Sequence, residues 1–175
     1  VRWLEQLPQS FCGLVLGNEV LDAMPVRLVG RGSEGWPGLG VEWKPQAPEG
    51  WAWAARPAGA RLLDVLGERV PGFEDLSVGY RTEVAEEAPA FAATLPQWLE
   101  RGVALFFDYG FPAAEYYHPQ RGAGTLMCHQ GHRSDDDPLH EVGRKDITVH
   151  VDFSAVALAG QDAGLDVIGY TSQAR

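Results

Sequence analysis

Short apolar runs bounded by glycine stand out in the hydrophobic pattern of the chain, and such runs predict strands. The clearest one is Leu14–Leu16, which lies between Gly13 and Gly17. This arrangement is typical of a strand that is buried on both faces. A second run of this kind, VALFFDYG (103–110), ends in Asp108–Tyr109–Gly110. We therefore expect two buried strands of an α/β sheet, with the helix before the second one forming part of a right-handed crossover.

Residues 26–80 have a different pattern. The segments VRLV, LGVEW and WAWAA are short, rich in β-branched and aromatic residues, and separated by turns that contain Gly and Pro. This pattern predicts antiparallel hairpins. We interpret residues 26–80 as an inserted β-rich subdomain, and residues 1–25 and 81–175 as parts of the main α/β domain. Inside the insertion, a short helix is predicted over residues 61–70 and an extended segment over residues 76–84.

Helical spacing recurs in the second half of the chain. A helix is predicted over residues 86–101, with a kink or break at Pro96; its apolar residues are Phe91, Leu95, Trp98 and Leu99. Ser154 is expected to cap a helix over residues 155–163. The segment LDVIGYT (165–171) predicts a final strand.

Polar residues follow the first predicted strand directly: Asn18, Glu19 and Asp22, and then Pro25. In open α/β sheets the ligand crevice lies just beyond the carboxyl ends of the strands. A helical turn beginning at Asn18 would place Glu19 and Asp22 on one face, and Pro25 would limit that helix to about one turn. The same residue types also suit an ordinary helix N-terminus, with an Asn cap and early carboxylates. Residue type alone leaves the structural and the functional interpretation equally open.

Charge and composition narrow the classes of partner. The 175 residues carry a net charge of −10 with a pI near 4.8, which argues against nucleic acid or an anionic membrane as partner. An acidic protein suits a cationic target, such as an arginine or lysine side chain. We find neither a membrane-spanning apolar run nor a signal peptide, so membrane insertion is not expected. Cys12 and Cys128 are expected to be small core residues in a reducing compartment.

Histidines and aspartates cluster in one hydrophilic segment: His129, His132, Asp135, Asp136, Asp137 and His140. Their spacing would allow a zinc or non-haem iron site if the segment folded back on itself. The segment is also rich in Gly and charge, which favours a solvated loop whose carboxylates cap local turns. We therefore assign no metal ligand, and a metal-dependent hydrolase built on this segment remains the less favoured alternative.

Several motifs in the same order resemble those of one known family. They are NEVLDAMPV (18–26), GVALFFDYGFP (102–112), GTLMCHQGHRSDDDPLHEVG (124–143), DITVHVDF (146–153) and the closing GYTSQ (169–173). Together they resemble the MidA family of S-adenosylmethionine-dependent methyltransferases, which includes the mitochondrial arginine methyltransferase that acts in complex I assembly. The resemblance implies the C-terminal part of a Rossmann-like methyltransferase sheet carrying an inserted antiparallel β region.

The resemblance also implies S-adenosyl-L-methionine as cofactor and a protein arginine as the methylated group. The chain lacks a glycine-rich cofactor loop. In the family this loop lies upstream, so we expect the cofactor-binding N-terminal part to be absent from this chain and the segment alone to be inactive. The chain begins without Met and is interpreted as a segment of a longer protein. A bacterial member would be cytoplasmic, and a eukaryotic one would reside in the mitochondrial matrix.

Methyl transfer requires a nucleophile held close to the sulfonium methyl group and in line with it. Two carboxylates can bind and orient a guanidinium through a bidentate fork. We therefore predict Asn18, Glu19 and Asp22 as the catalytic residues, with Asn18 positioning the substrate or the methionine end of the cofactor. Trp3 is a candidate for stacking on adenine, although a lone Trp more often serves packing.

The resemblance also implies candidates for substrate binding, namely Asp108, Tyr109 and His150 in the quoted motifs and Glu83, where the family has a Glu at the equivalent place. From residue type alone, Glu83 pairs with Arg81 in a solvated strand, and its inclusion depends on the resemblance. A non-catalytic assembly module on the same fold is the alternative to an enzyme. The protein substrate that carries the target arginine is not identified by the sequence, and a homodimer is left open.

Overall fold

The computed structural model describes Val1 and residues 3–173. The part of the chain it describes contains short strands and helices in mixed order. The strands are β1 (Phe11–Asn18), β2 (Val26–Gly30), β3 (Pro37–Trp43), β4 (Trp51–Pro57), β5 (Arg81–Ala85), β6 (Leu99–Phe107), β7 (Gly110–Phe111), β8 (Met127–Gln130), β9 (Arg133–Asp135), β10 (Asp146–Thr148) and β11 (Val151–Asp152). The helices are α1 (Ala60–Arg69), α2 (Glu87–Thr94), α3 (Ala113–Tyr116) and α4 (Phe153–Asp162).

Strands β1 and β6 pair in parallel, as the two apolar runs predicted. Leu14 and Leu16 lie opposite Val103 and Leu105 in the register, so these four side chains share one face. On the other face Phe106 packs into an apolar cluster. Its ring lies 2.6 Å from where a Cβ on Gly17 would be, so only glycine fits there.

The expectation that β1 is buried on both faces is wrong for this chain. Leu14 and Leu16 are 58% and 62% exposed, and Val103 and Leu105 opposite them are each 43% exposed. Cys12 on the same strand is exposed, whereas Cys128 is buried as predicted. Helices of the described chain cover only the Phe106 side of this pair of strands, so the second face has no cover.

The predicted hairpins form a four-stranded antiparallel sheet in the order β4-β3-β2-β5. Its core face packs against α1, which is displaced by one residue from the predicted helical segment. The cluster between them includes Val29, Leu62, Leu66 and Val84. Because β5 belongs to this sheet, the antiparallel part of the chain continues to Ala85. The division into a main domain and an inserted subdomain stays a prediction.

A second cluster joins α2 and α4 to the parallel strands, through Leu21, Ala88 and Val151 with Phe91, Phe106 and Phe153 at its edge. Asp152 caps α4, because its carboxylate accepts a hydrogen bond from the Ala155 N–H at 3.1 Å. The sequence had indicated Ser154 as this cap. The Ser154 hydroxyl accepts instead from the N–H of Ala113 at 3.0 Å and so joins α3 to α4.

Three segment predictions are corrected. The helix predicted over residues 86–101 ends at Thr94, a 3-10 turn over Leu95–Gln97 contains Pro96, and Leu99 already belongs to β6. Residues 76–80 form a turn before β5 rather than an extended strand. Residues 165–171 are irregular, and Ile168 is 81% exposed, so the prediction of a final strand is wrong.

The architecture is therefore mixed α/β, and among the strands of the described chain β1 with β6 and β7 with β11 are the parallel pairs. Three short strands, β10-β8-β9, form a further antiparallel sheet from the His/Asp-rich segment. A single large Rossmann-like sheet is not observed in the described chain. None of its helices is long and apolar enough to cross a bilayer.

Replacing Leu66 with alanine should destabilise the fold strongly. Leu66 is fully buried against the antiparallel sheet, and Leu→Ala at such a site costs about 2–5 kcal/mol because a cavity remains. Leu63, on the same helix and 38% exposed, provides the matched control Leu63→Ala, which should cost far less. Urea unfolding of the full-length protein measures both. Equal losses for the two variants would contradict the assigned packing of α1.

Candidate active site

The carboxyl ends of β1 and β6 meet at one edge. Asn18 is the last residue of β1 and lies opposite Phe107, the last residue of β6. The Glu19 N–H then donates to the Phe107 carbonyl at 2.8 Å. The polar residues that follow each strand are thereby brought together, as expected for the ligand edge of a parallel sheet.

The carboxylate of Asp108 organises this edge. One oxygen, Oδ2, accepts hydrogen bonds from the main-chain N–H groups of Val20 at 3.1 Å, Leu21 at 2.8 Å and Asp22 at 3.4 Å. The other, Oδ1, accepts from the N–H of Tyr109 at 2.9 Å. Asp108 was predicted to bind substrate. Both of its oxygens bind main chain here, so its observed role is to hold the loop after β1 against the end of β6.

Glu19 lies in a left-handed backbone conformation, with φ at +51°. Such a φ is uncommon for a residue other than glycine and is typical of constrained positions at functional sites. The predicted helical turn at residue 18 does not form; residues 19–24 make a bend and a turn instead. Two hydrogen bonds described above offset the strain at Glu19. The Glu19 N–H donates to the Phe107 carbonyl, and the Val20 N–H donates to the Asp108 carboxylate. Its side chain is exposed, and so is that of Asn18.

Asp22 is 6% exposed and lies among other acidic groups. Burial raises the pKa of its carboxyl, and the charges of Asp108, Glu19 and Asp146 raise it further, against a lowering by the hydrogen bond from the Ala23 N–H. We call Glu19, Asp22, Asp108 and Asp146 the acidic rim. Three carboxylates close enough to raise the pKa of the Asp22 carboxyl form with it a site that favours a cation.

Residues 149–151 connect the neighbouring loops to this rim through main-chain hydrogen bonds. Their three consecutive N–H groups donate to the Asp22 carbonyl at 3.0 Å, the Thr125 hydroxyl at 3.1 Å and the Tyr109 carbonyl at 2.7 Å. The motif around His150 therefore acts through its main chain at the centre of the site. One short segment fixes the relative positions of both strand ends and of the loop at residue 125.

Glu83 belongs to a buried hydrogen-bond network beside the rim. At 1% exposure, its carboxylate accepts from the Thr125 N–H at 3.0 Å, the Thr125 hydroxyl at 3.0 Å and the Leu126 N–H at 3.1 Å. The Tyr116 hydroxyl donates to it at 3.4 Å. Gly124, with φ of +80°, leaves room for this carboxylate, since a Cβ there would collide with it. Glu83 thus supports the loop at residue 125 and does not pair with Arg81.

The His150 ring is half-buried and packs edge-on against Phe111, with ring centroids 5.0 Å apart. Burial lowers the pKa of this histidine, and the nearby Arg121 charge lowers it further. The guanidinium of Arg121 lies 4.0 Å above the same Phe111 ring. His150 is therefore predominantly neutral at pH 7. Nδ1 is buried without a hydrogen-bond partner within the described chain, so the ring's contact with substrate stays a prediction.

Two further predicted residues lie at the surface. Tyr109 is 59% exposed directly beside Asp108, where it can contact a ligand at the rim. Trp3 is 90% exposed. The structure brings Trp3 against no other part of the described chain that would form an adenine pocket, and its stacking role stays a prediction.

The histidine- and aspartate-rich segment uses its polar groups locally. Asp135 pairs with Lys145 at 2.7 Å, Asp137 accepts from the Leu139 N–H at 3.0 Å, and His140 lies 2.8 Å from Glu49. The Lys145 ion pair lowers the pKa of Asp135. Across Val1 and residues 3–173, no three His, Cys, Asp or Glu side chains converge into a metal-binding group.

Sequence reasoning did not single out Thr125, Tyr116 or Asp146 as site residues. Asp146 and Thr125 lie within the quoted motifs, so a signal was present, but neither residue follows an apolar strand. Tyr116 carries no pattern of its own: its burial beside Glu83 arises from packing of α3. Burial raises its pKa well above the ordinary tyrosine value, and the Glu83 charge adds to the effect.

Replacing Asp108 with alanine should loosen the rim. The change removes a charged acceptor from four main-chain N–H groups, and hydrogen bonds to charged groups are worth about 1.5–3 kcal/mol each. We expect a lower unfolding midpoint and faster hydrogen exchange at residues 20–22. Asp136→Ala, in the exposed loop, is the matched control and should leave both unchanged. Unaltered exchange at residues 20–22 in the Asp108 variant would show that the carboxylate does not hold the loop.

Solved structures resemble this chain closely. One is a crystal structure of a COG1565 superfamily member from Burkholderia thailandensis, described as a "likely methyl transferase" and bound to S-adenosyl-homocysteine, with 50% identity and a TM-score of 0.88. Another COG1565 superfamily structure from that organism, described as an uncharacterized protein, has 48% identity and the same TM-score. Each match covers 99% of this chain but only 43% and 45% of the respective relatives. The chain thus spans less than half of their length.

No curated protein matches the chain. One family model matches residues 1–171, and its description is "Putative S-adenosyl-L-methionine-dependent methyltransferase". The match covers almost every residue, including the acidic rim, the segment 149–151 and the antiparallel sheet. It agrees with the predicted cofactor class and does not distinguish the MidA group within it. The chain belongs to this family of S-adenosyl-L-methionine-dependent methyltransferases.

Proposed function

We propose that the full-length protein transfers a methyl group from S-adenosyl-L-methionine to an arginine side chain of a protein substrate. The observation that carries this proposal is the acidic rim at the joined carboxyl ends of β1 and β6. A guanidinium is a planar cation that binds carboxylates through paired hydrogen bonds. Carboxyl groups of the rim other than Asp108 supply such acceptors, and all four contribute to the negative potential that attracts a cation.

Three of the four carboxyl groups have distinct surroundings, which points to distinct roles. Glu19 is exposed and held in a fixed backbone conformation, so it is the group that contacts the guanidinium. Asp22, which is buried, adds charge and a second acceptor. Asp108 is committed to main-chain N–H groups and acts as a positioning residue. Tyr109 and Asn18 flank the rim and are available to orient the bound groups.

A nucleophilic nitrogen must lose one proton as it gains a methyl group. Glu19 and Asp146 are the exposed carboxylates of the rim, and Glu19 directly follows β1, so we assign its Oε atoms as the acceptors for that proton. The remaining carboxylates stabilise the cationic side chain before and after transfer. Such preorganised charge is commonly worth about 10²–10³-fold in rate for one group.

The residues present fit the cationic end of the cofactor. When bound, S-adenosyl-L-methionine supplies an electrophilic methyl group on a sulfonium. Its sulfonium and amino groups are positive, and the exposed amide of Asn18 lies beside the acidic rim at the strand end. Asn18 would hold the methionine portion, and Glu83 would keep the loop at residue 125 in place.

Replacing Glu19 with glutamine should abolish most methyl transfer. The amide keeps the shape of the side chain but loses the charge and the proton acceptor, so we expect about a 10²-fold or larger fall in kcat. Glu68→Gln, on the exposed side of α1, is the matched control. Transfer of radiolabelled methyl to arginine- and lysine-containing peptides measures the effect, and calorimetry with S-adenosylhomocysteine shows whether the cofactor site is intact. Full activity of the Glu19 variant would overturn its role.

Replacing Asp22 with asparagine should stabilise the protein at neutral pH while lowering activity. Because the folded pKa of Asp22 lies above its unfolded value, ionising it in the folded state is unfavourable. This cost is absent below about pH 3.8, develops as pH rises through the folded pKa, and is constant above it. The variant should therefore melt higher than wild type at pH 7, and the two should converge near pH 3.5. Thermal melts across this range test the sign; a lower melting temperature at pH 7 contradicts it.

A further inference from the structure

A cleft of about 760 Å³ opens beside the antiparallel sheet. Three parts of the chain form its walls. They are the hairpin of β3 and β4, the starts of β2 and α1, and the segment around residues 138–147. We call it the hairpin cleft. Its apolar lining includes Val26, Leu28, Val41, Trp53, Leu139 and Ile147. None of these residues has a part in the acidic rim.

The cleft lies where β3 separates from β2. The two strands pair only at Leu28 with Leu39 and at Val29 with Gly38, whereas β3 and β4 pair along their full lengths. Before Leu28, β2 pairs only with β5, and after Leu39, β3 pairs only with β4 within the described chain. Each strand therefore presents a main-chain edge toward the fork. Free strand edges are the sites at which an extended peptide adds to a sheet.

Large apolar side chains at the fork are exposed. Val41 is 44% exposed, Trp53 is 38% exposed and Ile147 is 45% exposed. Indole rings and branched side chains around a concave site are the usual lining for an apolar side chain of a ligand. The cleft thus offers both main-chain hydrogen bonding and apolar pockets to an extended segment.

The charge of the cleft is opposite to that of the protein. Its lining contains Arg27, Arg56 and Arg61 but only one acidic residue, Glu86. Arg27 and Arg61 share that carboxylate at 2.8 and 2.9 Å, and both guanidiniums remain largely exposed. Two positive charges are therefore left uncompensated on a chain whose net charge is −10. A local positive site of this kind complements a carboxylate on the ligand.

The cleft adjoins the acidic rim. Val26 lines the cleft and follows Asp22 by four residues, which limits the separation of their Cα atoms to about 14 Å. On β10, Asp146 of the rim directly precedes Ile147 of the cleft. Successive side chains of a strand face opposite sides, so the rim and the cleft lie on either side of this strand. A polypeptide with a cationic side chain at the rim can therefore reach the cleft within about four to six residues.

We propose that the hairpin cleft binds the polypeptide that flanks the methylated arginine. The bound segment is extended, carries an apolar side chain about four to six residues from the arginine, and has an acidic residue next to it. The acidic rim takes the cation while the cleft takes the apolar and acidic flank. The proposal rests on the proposed function, because it assigns the substrate specificity of that same site.

Fluorescein-labelled peptides test the cleft by anisotropy with the full-length protein. Each peptide has one arginine followed, five residues later, by Leu-Trp-Asp, Leu-Trp-Lys or Ser-Gly-Asp. We expect the first to bind at least about tenfold more tightly than either of the others, since each lacks one matching feature. Val41→Asp and Arg56→Glu should remove this preference. Val78→Asp and Arg133→Glu, which change exposed residues outside the cleft, should retain it.

Methyl transfer to the same peptides separates the two proposals. Equal affinity for the three peptides, or an unchanged preference in the Val41 and Arg56 variants, overturns the role of the cleft whether or not methylation occurs. Selective binding with no methylation of any peptide or protein supports the cleft and contradicts the proposed function. If the cleft binds the peptide and the protein also methylates it, the Val41 and Arg56 variants raise KM for the Leu-Trp-Asp peptide. Their affinity for S-adenosylhomocysteine stays unchanged.

Discussion

The Asp108 carboxylate is the contact on which the rest of the site depends. It accepts hydrogen bonds from the N–H groups that follow β1, and it is itself placed by the end of β6. A parallel pair of strands leaves such N–H groups without sheet partners, and a buried unpaired donor is costly. A single side chain therefore satisfies the loop and fixes the direction in which Glu19 and Asp22 leave the sheet.

Two other groups extend this order to the surrounding loops. The N–H groups of residues 149–151 bind Thr125 and the segments that follow β1 and β6, and the Glu83 carboxylate binds the same threonine. The antiparallel sheet, which carries Glu83 on β5, is thereby tied to the parallel strands. The hairpin cleft and the acidic rim, to which we assign substrate selection and catalysis only as proposals, are therefore joined by one hydrogen-bonded framework.

The sequence was informative where a pattern extends over several residues. The apolar run before Asn18 predicted a strand that delivers Glu19 and Asp22 to a common edge, and the aromatic segments predicted the hairpins. The sequence pattern predicted a wrong helix end where helix and strand patterns coincide. Leu99 continues the helical spacing of Phe91 and Leu95, but it is the first residue of β6. The supporting roles of Asp108 and Glu83 could not be predicted, because most of their partners are polar groups that are distant in sequence.

The uncovered apolar face of the β1–β6 strand pair affects how residues 1–175 behave in solution. Leucine, valine and phenylalanine side chains there form a continuous stripe in water, ending at Phe107, which is 38% exposed. Stripes of this kind promote self-association in dilute solution. Light scattering on residues 1–175 alone would therefore report aggregation through this stripe together with folding, and calorimetric data from such a preparation would mix the two.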